Sequence, residues 1–200
     1  MSDGSRSSSA TGAHPLWKRL LIPSMGDTIF IALLAVLTCT FLSMRLLGDA
    51  GIGWHIRTGQ QILATHAVPR VDPFSAVMHG KTWFAWEWLY DVIVGALDRW
   101  AGLNGVVWFT AVVIAGVFAW TFRLLLRRGT NVFVALVLLL LAASASMIHF
   151  LARPHVLSWL FTVAWFWILD SAETDCMQTD PAGPSATRST TTGRRAGSRR

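Results

Sequence analysis

Four long stretches that are almost free of charged residues dominate the pattern of this chain. A helix that crosses a bilayer needs about 20 mostly apolar residues, and these stretches are close to that length. The predicted spans lie at about 27–47, 101–122, 130–151 and 154–169. The last span has only 16 residues, so a short tilted or re-entrant segment is the alternative there. The pattern predicts an all-α membrane protein with about four transmembrane helices.

The segment 48–99, between the first two spans, has a different pattern. Residues 54–64 and 85–100 repeat apolar side chains at helical spacing. At the second of these stretches Trp88 and Val92 share one side with the preceding Phe84, and acidic residues share the other. We therefore expect an outward loop with two amphipathic helices that lie at the membrane interface.

Composition and charge agree with a membrane protein. Hydrophobic residues make up 53% of the chain and charged residues 14%, whereas soluble domains carry about 25% charged residues. The net charge of +6 comes from arginines and lysines that flank the spans, not from one basic face. This distribution argues against a nucleic-acid-binding protein.

The basic flanks also predict the topology. They place the N-terminus in the cytoplasm and loop 48–99 outside the inner (plasma) membrane, together with the turn at 152–155. The membrane domain is predicted at 20–170. We expect disorder in the basic N-terminus at 1–19 and in the Ser/Thr/Arg-rich tail at 171–200.

Two acidic residues of the outward loop are candidates for catalysis. Asp49 follows the first span among Gly48, Gly51 and Gly53, and glycines let the backbone bend a carboxylate toward a ligand. It would act as a general base or hold a divalent cation; the alternative is a polar residue that ends a helix. Glu87 lies among tryptophans, which would desolvate it and raise its pKa, or which form an ordinary interfacial belt.

Cationic and aromatic side chains on the same predicted face are candidates for substrate binding. Arginine and histidine suit phosphate, and tryptophan stacks on sugar rings. The alternative is that these residues contact lipid headgroups or anchor helix ends. The candidates are His55, Arg57, Trp86, His149, Arg153 and His155. The sequence has no zinc-ligand spacing, phosphate-binding loop or nucleophile elbow, so we assign no metal site.

The segments 49–75, 83–91 and 149–155 resemble the N-terminal part of bacterial multi-pass membrane proteins of the C-type glycosyltransferase superfamily. That resemblance implies a polyprenyl-phosphate-linked sugar donor and an acidic catalytic or metal-associated motif after the first helix, matched here by Asp49. It also implies that Arg57, Arg153 and His155 contact the donor phosphate. Members of the superfamily usually have eight or more membrane helices, so we expect this chain to be a truncated, N-terminal portion.

The first hypothesis is thus a membrane glycosyltransferase, or part of one, whose Asp49 activates the acceptor with help from Glu87. The second is a non-catalytic accessory or lipid-binding membrane protein whose outward loop docks a partner. A transporter is a third, weaker hypothesis, because the predicted spans carry no charge in mid-membrane, where substrate pathways usually place one.

Overall fold

The computed structural model describes residues 24–179, with side chains up to Thr174. The regular structure of this part is helical, apart from one isolated β-bridge between Val71 and Thr82. The six α-helices are α1 (Met25–Cys39), α2 (Leu42–Leu46), α3 (Gly51–Thr65), α4 (Trp88–Arg127), α5 (Val132–Ser146) and α6 (His155–Thr179). The prediction of an all-α membrane protein is confirmed.

Three helical stretches within 24–179 are long and apolar enough to cross a membrane. They are Trp88–Arg127, Val132–His149 and His155–Thr174, and the second includes a 3₁₀ turn at Met147–His149. The first predicted span is a shorter apolar helix, α1, that ends at Cys39 and is followed by the short helix α2. Within and after α1, Thr38 and Thr40 donate side-chain hydrogen bonds to carbonyls four residues back, a pattern that often bends helices.

Two predicted boundaries differ from the structure. The second interfacial helix and the second span form the single helix α4, interrupted only by Gly102, whose φ of 64° and ψ of −163° are not helical. The final helix continues to Thr179, past the position where we expected a disordered tail to begin. The rest of that tail and the predicted disordered stretch 1–19 lie outside the described residues.

Helix α4 is the centre of the fold. It packs against α3 with its first half and against α1 and α5 with its second half. The larger core joins these helices through residues such as Leu37, Ile114 and Leu139. The outer side of α5 carries exposed apolar residues such as Phe133 and Leu140, as suits a helix in contact with lipid. The chain divides into two compact units, one ending at Val163 and the other beginning at Ala164.

Two ion pairs mark the ends of this bundle. At one end Arg123 of α4 pairs with Asp27 in the first turn of α1. At the other end Arg153 pairs with Asp49, between α2 and α3. We call these the Asp27 end and the Asp49 end. All the predicted site residues belong to the loops and helix termini on the Asp49 side or to α3.

Candidate functional site

The Asp49–Arg153 pair joins two segments that are far apart in sequence. The backbone N–H of Ala152 donates to the carbonyl of Leu46 at 2.8 Å, so the turn before α6 lies against the end of α2. Ala152 itself is fully buried. Arg153 Nε then donates to Asp49 Oδ2 at 2.5 Å, and Nη2 donates to Oδ1 at 2.6 Å. A bidentate pair of this kind fixes the orientation of both groups.

The carboxylate of this pair is more shielded than its partner. The Asp49 side chain is 15% exposed, whereas Arg153 is 48% exposed. Hydrogen bonding from Arg153 lowers the pKa of Asp49 despite partial burial, and the backbone N–H of Gly51 and the charge of His55 act in the same direction. The same pair raises the pKa of Arg153. Asp49 is therefore ionised at neutral pH.

A second pair lies beside the first and links α3 to α4. His55 Nδ1 is 2.6 Å from Asp91 Oδ1, and the Asp91 side chain is only 3% exposed. The edge of the His55 ring also contacts Tyr90, with ring centroids 5.4 Å apart. Asp91 was missing from the predicted site residues because its partner is 36 positions away. The sequence places Asp91 on the polar side of this helix, which we expected to face solvent, but in the structure that side packs against α3.

Glycines allow α3 and α4 to approach closely enough for this second pair. A Cβ built on Gly59 would lie 1.8 Å from the carbonyl oxygen of Asp91. A Cβ on Gly95 would lie 2.7 Å from the carbonyl carbon of Gly59. The two backbones are therefore in direct contact, as small residues permit at helix crossings. This contact places His55 next to Asp91.

Arg57 is separated from the Asp49 end, although it follows His55 by only two residues. Residues two apart on a helix do not face each other, so Arg57 points away from the face that holds His55. Its Nη1 donates to Gln60 Oε1 at 3.2 Å, and Gln60 Nε2 donates to Asp98 Oδ2 at 2.8 Å. The structure therefore does not bring Arg57 together with Arg153.

Glu87 and Trp86 are exposed on the segment before α4. Trp86 is 81% exposed, and its ring contacts only Phe84 among the described aromatic pairs. Trp83 instead packs against Trp54, with ring centroids 5.8 Å apart. The expected desolvation of Glu87 by tryptophans is not seen, because these rings are directed elsewhere. Within 24–179 its carboxylate makes no hydrogen bond to Asp49 or to another side chain.

The two histidines of the last turn lie on either side of Arg153. His155 Nε2 is 2.7 Å from the carbonyl oxygen of His149. The two rings meet edge to face with centroids 5.9 Å apart, and His155 also contacts Trp159 at 5.3 Å. These contacts link His149, His155 and Trp159 across the turn. His149 and His155 therefore contact each other across the turn that carries Arg153.

The Asp49 end thus unites Asp49, His55, His149, Arg153 and His155 with the unpredicted Asp91. The described residues contain no group of three or more His, Cys, Asp or Glu side chains placed to hold a metal ion. No protein-family model, curated protein or solved structure matches this chain.

Proposed function

We propose that this chain is a membrane glycosyltransferase, or part of one, that uses a polyprenyl-phosphate-linked sugar as donor. The observation that carries the proposal is the bidentate Asp49–Arg153 pair. A guanidinium has five N–H donors, and this pair uses two of them, so three remain for an anion. Arg153 is half exposed at a helix end, where the phosphate of a membrane-embedded lipid would meet it.

The proposed orientation follows from the basic residues at the Asp27 end. Arg123, Arg127 and Arg128 cluster there at the end of α4, and short cytoplasmic loops of membrane proteins are enriched in such residues. The Asp49 end then faces outward from the inner membrane. The donor phosphate would approach from the outer headgroup region, the depth at which polyprenyl phosphates present their anionic group.

The proposed chemistry is glycosyl transfer to an acceptor hydroxyl. The acceptor oxygen forms a bond to the anomeric carbon of the sugar, and the bond from that carbon to the donor phosphate oxygen breaks. The electron pair leaves with the polyprenyl phosphate, which Arg153 binds with His149 and His155 beside it. Asp49 receives the acceptor proton. A phosphate bound to the remaining donors of Arg153 brings a negative charge close to Asp49 and shares the charge of the guanidinium, so the pKa of the carboxylate rises and Asp49 becomes a better base.

Trp86 and Glu87 would join this site through the exposed segment before α4. Both side chains extend into solvent. In the proposed complex Trp86 stacks on the sugar, and Glu87 assists at the acceptor. That arrangement requires the segment to change conformation on binding.

A non-catalytic lipid-binding role is the second candidate. One observation favours it, which is that Arg153 already lowers the pKa of Asp49. A carboxylate in that state is a weak base until an anion disturbs the pair. In this second case the pair binds a phosphate headgroup without transferring a sugar.

The first test measures donor-lipid binding by the full chain in nanodiscs. Native mass spectrometry would compare nanodiscs with and without undecaprenyl phosphate. We expect Arg153→Gln to weaken binding by about tenfold or more, as for a lost charged hydrogen bond. Arg123→Gln is the matched control, because it removes an arginine of similar exposure from an ion pair at the other end. Equal binding by the two variants would contradict the proposed phosphate site.

The second test separates the two candidates by sugar transfer in membranes that contain the natural donor pool. We expect Asp49→Asn to bind undecaprenyl phosphate like the native chain but to lower transfer by about 10²- to 10⁴-fold, as for loss of a general base. If the native chain binds the lipid but membranes with the native chain, with Asp49→Asn and without the chain all show the same transfer, the lipid-binding role is correct and the catalytic role is wrong.

A further inference from the structure

A cavity on the other side of α3 is not part of the Asp49 end. It has a volume of about 330 Å³ and is lined by Arg57, Gln60, Gln61, Ala64 and Phe74. Pockets that bind small ligands start at about 300 Å³. We call it the Arg57 cavity. Its lining combines one cation, two amides and one aromatic ring, whereas another cavity among the described residues, between α1 and α5, is lined only by apolar side chains.

Two consecutive hydrogen bonds connect the Arg57 guanidinium to α4. Gln60 accepts a hydrogen bond from Arg57 and donates one to Asp98 of α4. The amide thereby connects the guanidinium to the helix on which α3 rests. Only one N–H of Arg57 is used in this chain of contacts. The remaining exposed N–H groups of Arg57 can form a bidentate contact with an anion, as arginine favours.

The aromatic wall of the cavity is held by a separate turn. Asp72 Oδ1 accepts hydrogen bonds from the backbone N–H groups of Phe74 and Ser75 at 2.9 and 3.0 Å. These N–H bonds also lower the pKa of Asp72, so the turn persists at neutral pH. The edge-to-face contact between Phe74 and Trp54, with centroids 5.3 Å apart, fixes the ring against α3.

We propose that the Arg57 cavity binds a sugar unit that carries an anionic group, either a carboxylate or a phosphate. Arg57 would bind the anion, the amide of Gln61 would bind ring hydroxyls, and Phe74 would cover the apolar face of the ring. If the proposed transferase function is correct, this sugar belongs to the acceptor, because the donor phosphate is assigned to Arg153. Arg57 and His55 lie on different sides of α3, so the two ligands would not compete.

The test measures equilibrium binding to the full chain in nanodiscs by saturation-transfer NMR. The probes are glucuronate, glucose 1-phosphate, glucose and inorganic phosphate. We expect the two anionic sugars to bind at least about tenfold more tightly than glucose or phosphate alone, because each combines an ionic contact with ring contacts. Comparing the affinity for glucuronate with that for glucose 1-phosphate distinguishes a carboxylate ligand from a phosphate ligand. Binding of phosphate as tight as that of glucose 1-phosphate would overturn the sugar assignment.

The matched variants are Arg57→Gln and Arg70→Gln. Arg70 is an exposed arginine of the neighbouring loop and does not line the cavity. We expect Arg57→Gln to weaken anionic-sugar binding by about tenfold and Arg70→Gln to leave it unchanged. Equal losses, or no binding by the native chain, would overturn the proposal. Circular dichroism of both variants checks that α3 is intact.

Asp49→Asn distinguishes this proposal from the proposed function. It leaves the Arg57 cavity untouched, so glucuronate or glucose 1-phosphate should bind this variant as tightly as the native chain. If that binding is retained and Asp49→Asn does not affect sugar transfer, the transferase assignment is wrong and the sugar-binding cavity stands. If binding is lost in Asp49→Asn, the two sites are one and the separate cavity is refuted.

Discussion

The two ends of the helix bundle each carry an Asp–Arg pair, yet the pairs differ in their surroundings. The arginines are similarly exposed, at 51% for Arg123 and 48% for Arg153, but Asp27 is 46% exposed and Asp49 only 15%. Asp27 also accepts from Ser24 N–H in a capping box that begins α1. Its pair therefore belongs to the start of a helix.

The Asp49 pair has a different neighbourhood. Its carboxylate accepts a hydrogen bond from the backbone N–H of Gly51 at the start of α3, but its largest interaction is with Arg153, from the turn before α6. A second pair, His55–Asp91, lies beside it and contains an almost fully buried acid. A buried charge costs folding free energy unless it is paired, so the burial of Asp91 depends on its contact with His55. The comparison indicates that the pair at the Asp27 end helps to begin a helix, whereas the Asp49 end is a cluster of paired charged side chains.

The largest expected effect comes from the glycine that lets α3 reach α4. Gly59→Ala places a methyl group against the backbone of Asp91, and backbone atoms cannot turn aside as side chains do. We expect a loss of about 3 kcal/mol in the free energy of unfolding, at the upper end of the range for overpacking. SDS unfolding in mixed micelles would measure it.

The matched control for this prediction is Gly53→Ala in the same helix. A Cβ on Gly53 meets nothing within 4 Å, and alanine favours the helix over glycine. The control should therefore be stabilised by up to about 1 kcal/mol. Similar losses in both variants would show that α3 does not lie against α4 as described, and the distinction between the two ends would lose its basis.

An intermediate effect is expected for the buried pair of the Asp49 end. Asp91→Ala removes the partner of His55, and a double-mutant cycle with His55→Ala isolates their interaction. We expect a coupling energy of about 2 kcal/mol, as for a hydrogen bond to a charged group. SDS unfolding of the four proteins gives the value. A coupling energy near zero would mean that the 2.6 Å contact does not contribute to the organisation of this end.

The helices could be predicted from the sequence because bilayer thickness and side-chain period act locally. The charge-free runs and the amphipathic stretch at 54–64 led directly to α3, α5 and the apolar part of α4. The bend at Gly102 and the merger of two predicted helices into α4 were missed, since a kinked helix has the same composition as two separate helices. The extension of α6 to Thr179 was missed because its last turns are polar.

The candidate site was predictable only in part, for a physical reason. Asp49 and Arg153 were both selected because each lies at the end of an apolar stretch, and a common topology places such ends together. Their bidentate contact and the His55–Asp91 pair depend on the α3–α4 crossing, which no local pattern specifies. Arg57 was grouped with His55 by proximity along the chain, although helical geometry directs the two side chains to different sides.

The smallest expected effect is the pH dependence that the Asp49 pair gives to stability. Arg153 lowers the pKa of Asp49 in the folded chain, relative to about 3.9 in an unfolded one. The stabilisation is therefore fully present above about pH 4 and is lost as the pH falls through the folded-state pKa. Asp49→Asn should lower Tm by a few degrees at neutral pH, and this difference from the native chain should shrink in acid.

Asp27→Asn completes the comparison of the two ends. Both partners of its pair are about half exposed, so solvent screens the interaction. We therefore expect a smaller loss of Tm at neutral pH than for Asp49→Asn. Intrinsic tryptophan fluorescence during heating, repeated from pH 7 to pH 3, would measure all three proteins. If Asp49→Asn lowers Tm by the same amount at every pH in this range, Arg153 does not stabilise the ionised form of the carboxylate. The Asp49 pair and the Asp27 pair would then not differ in this respect.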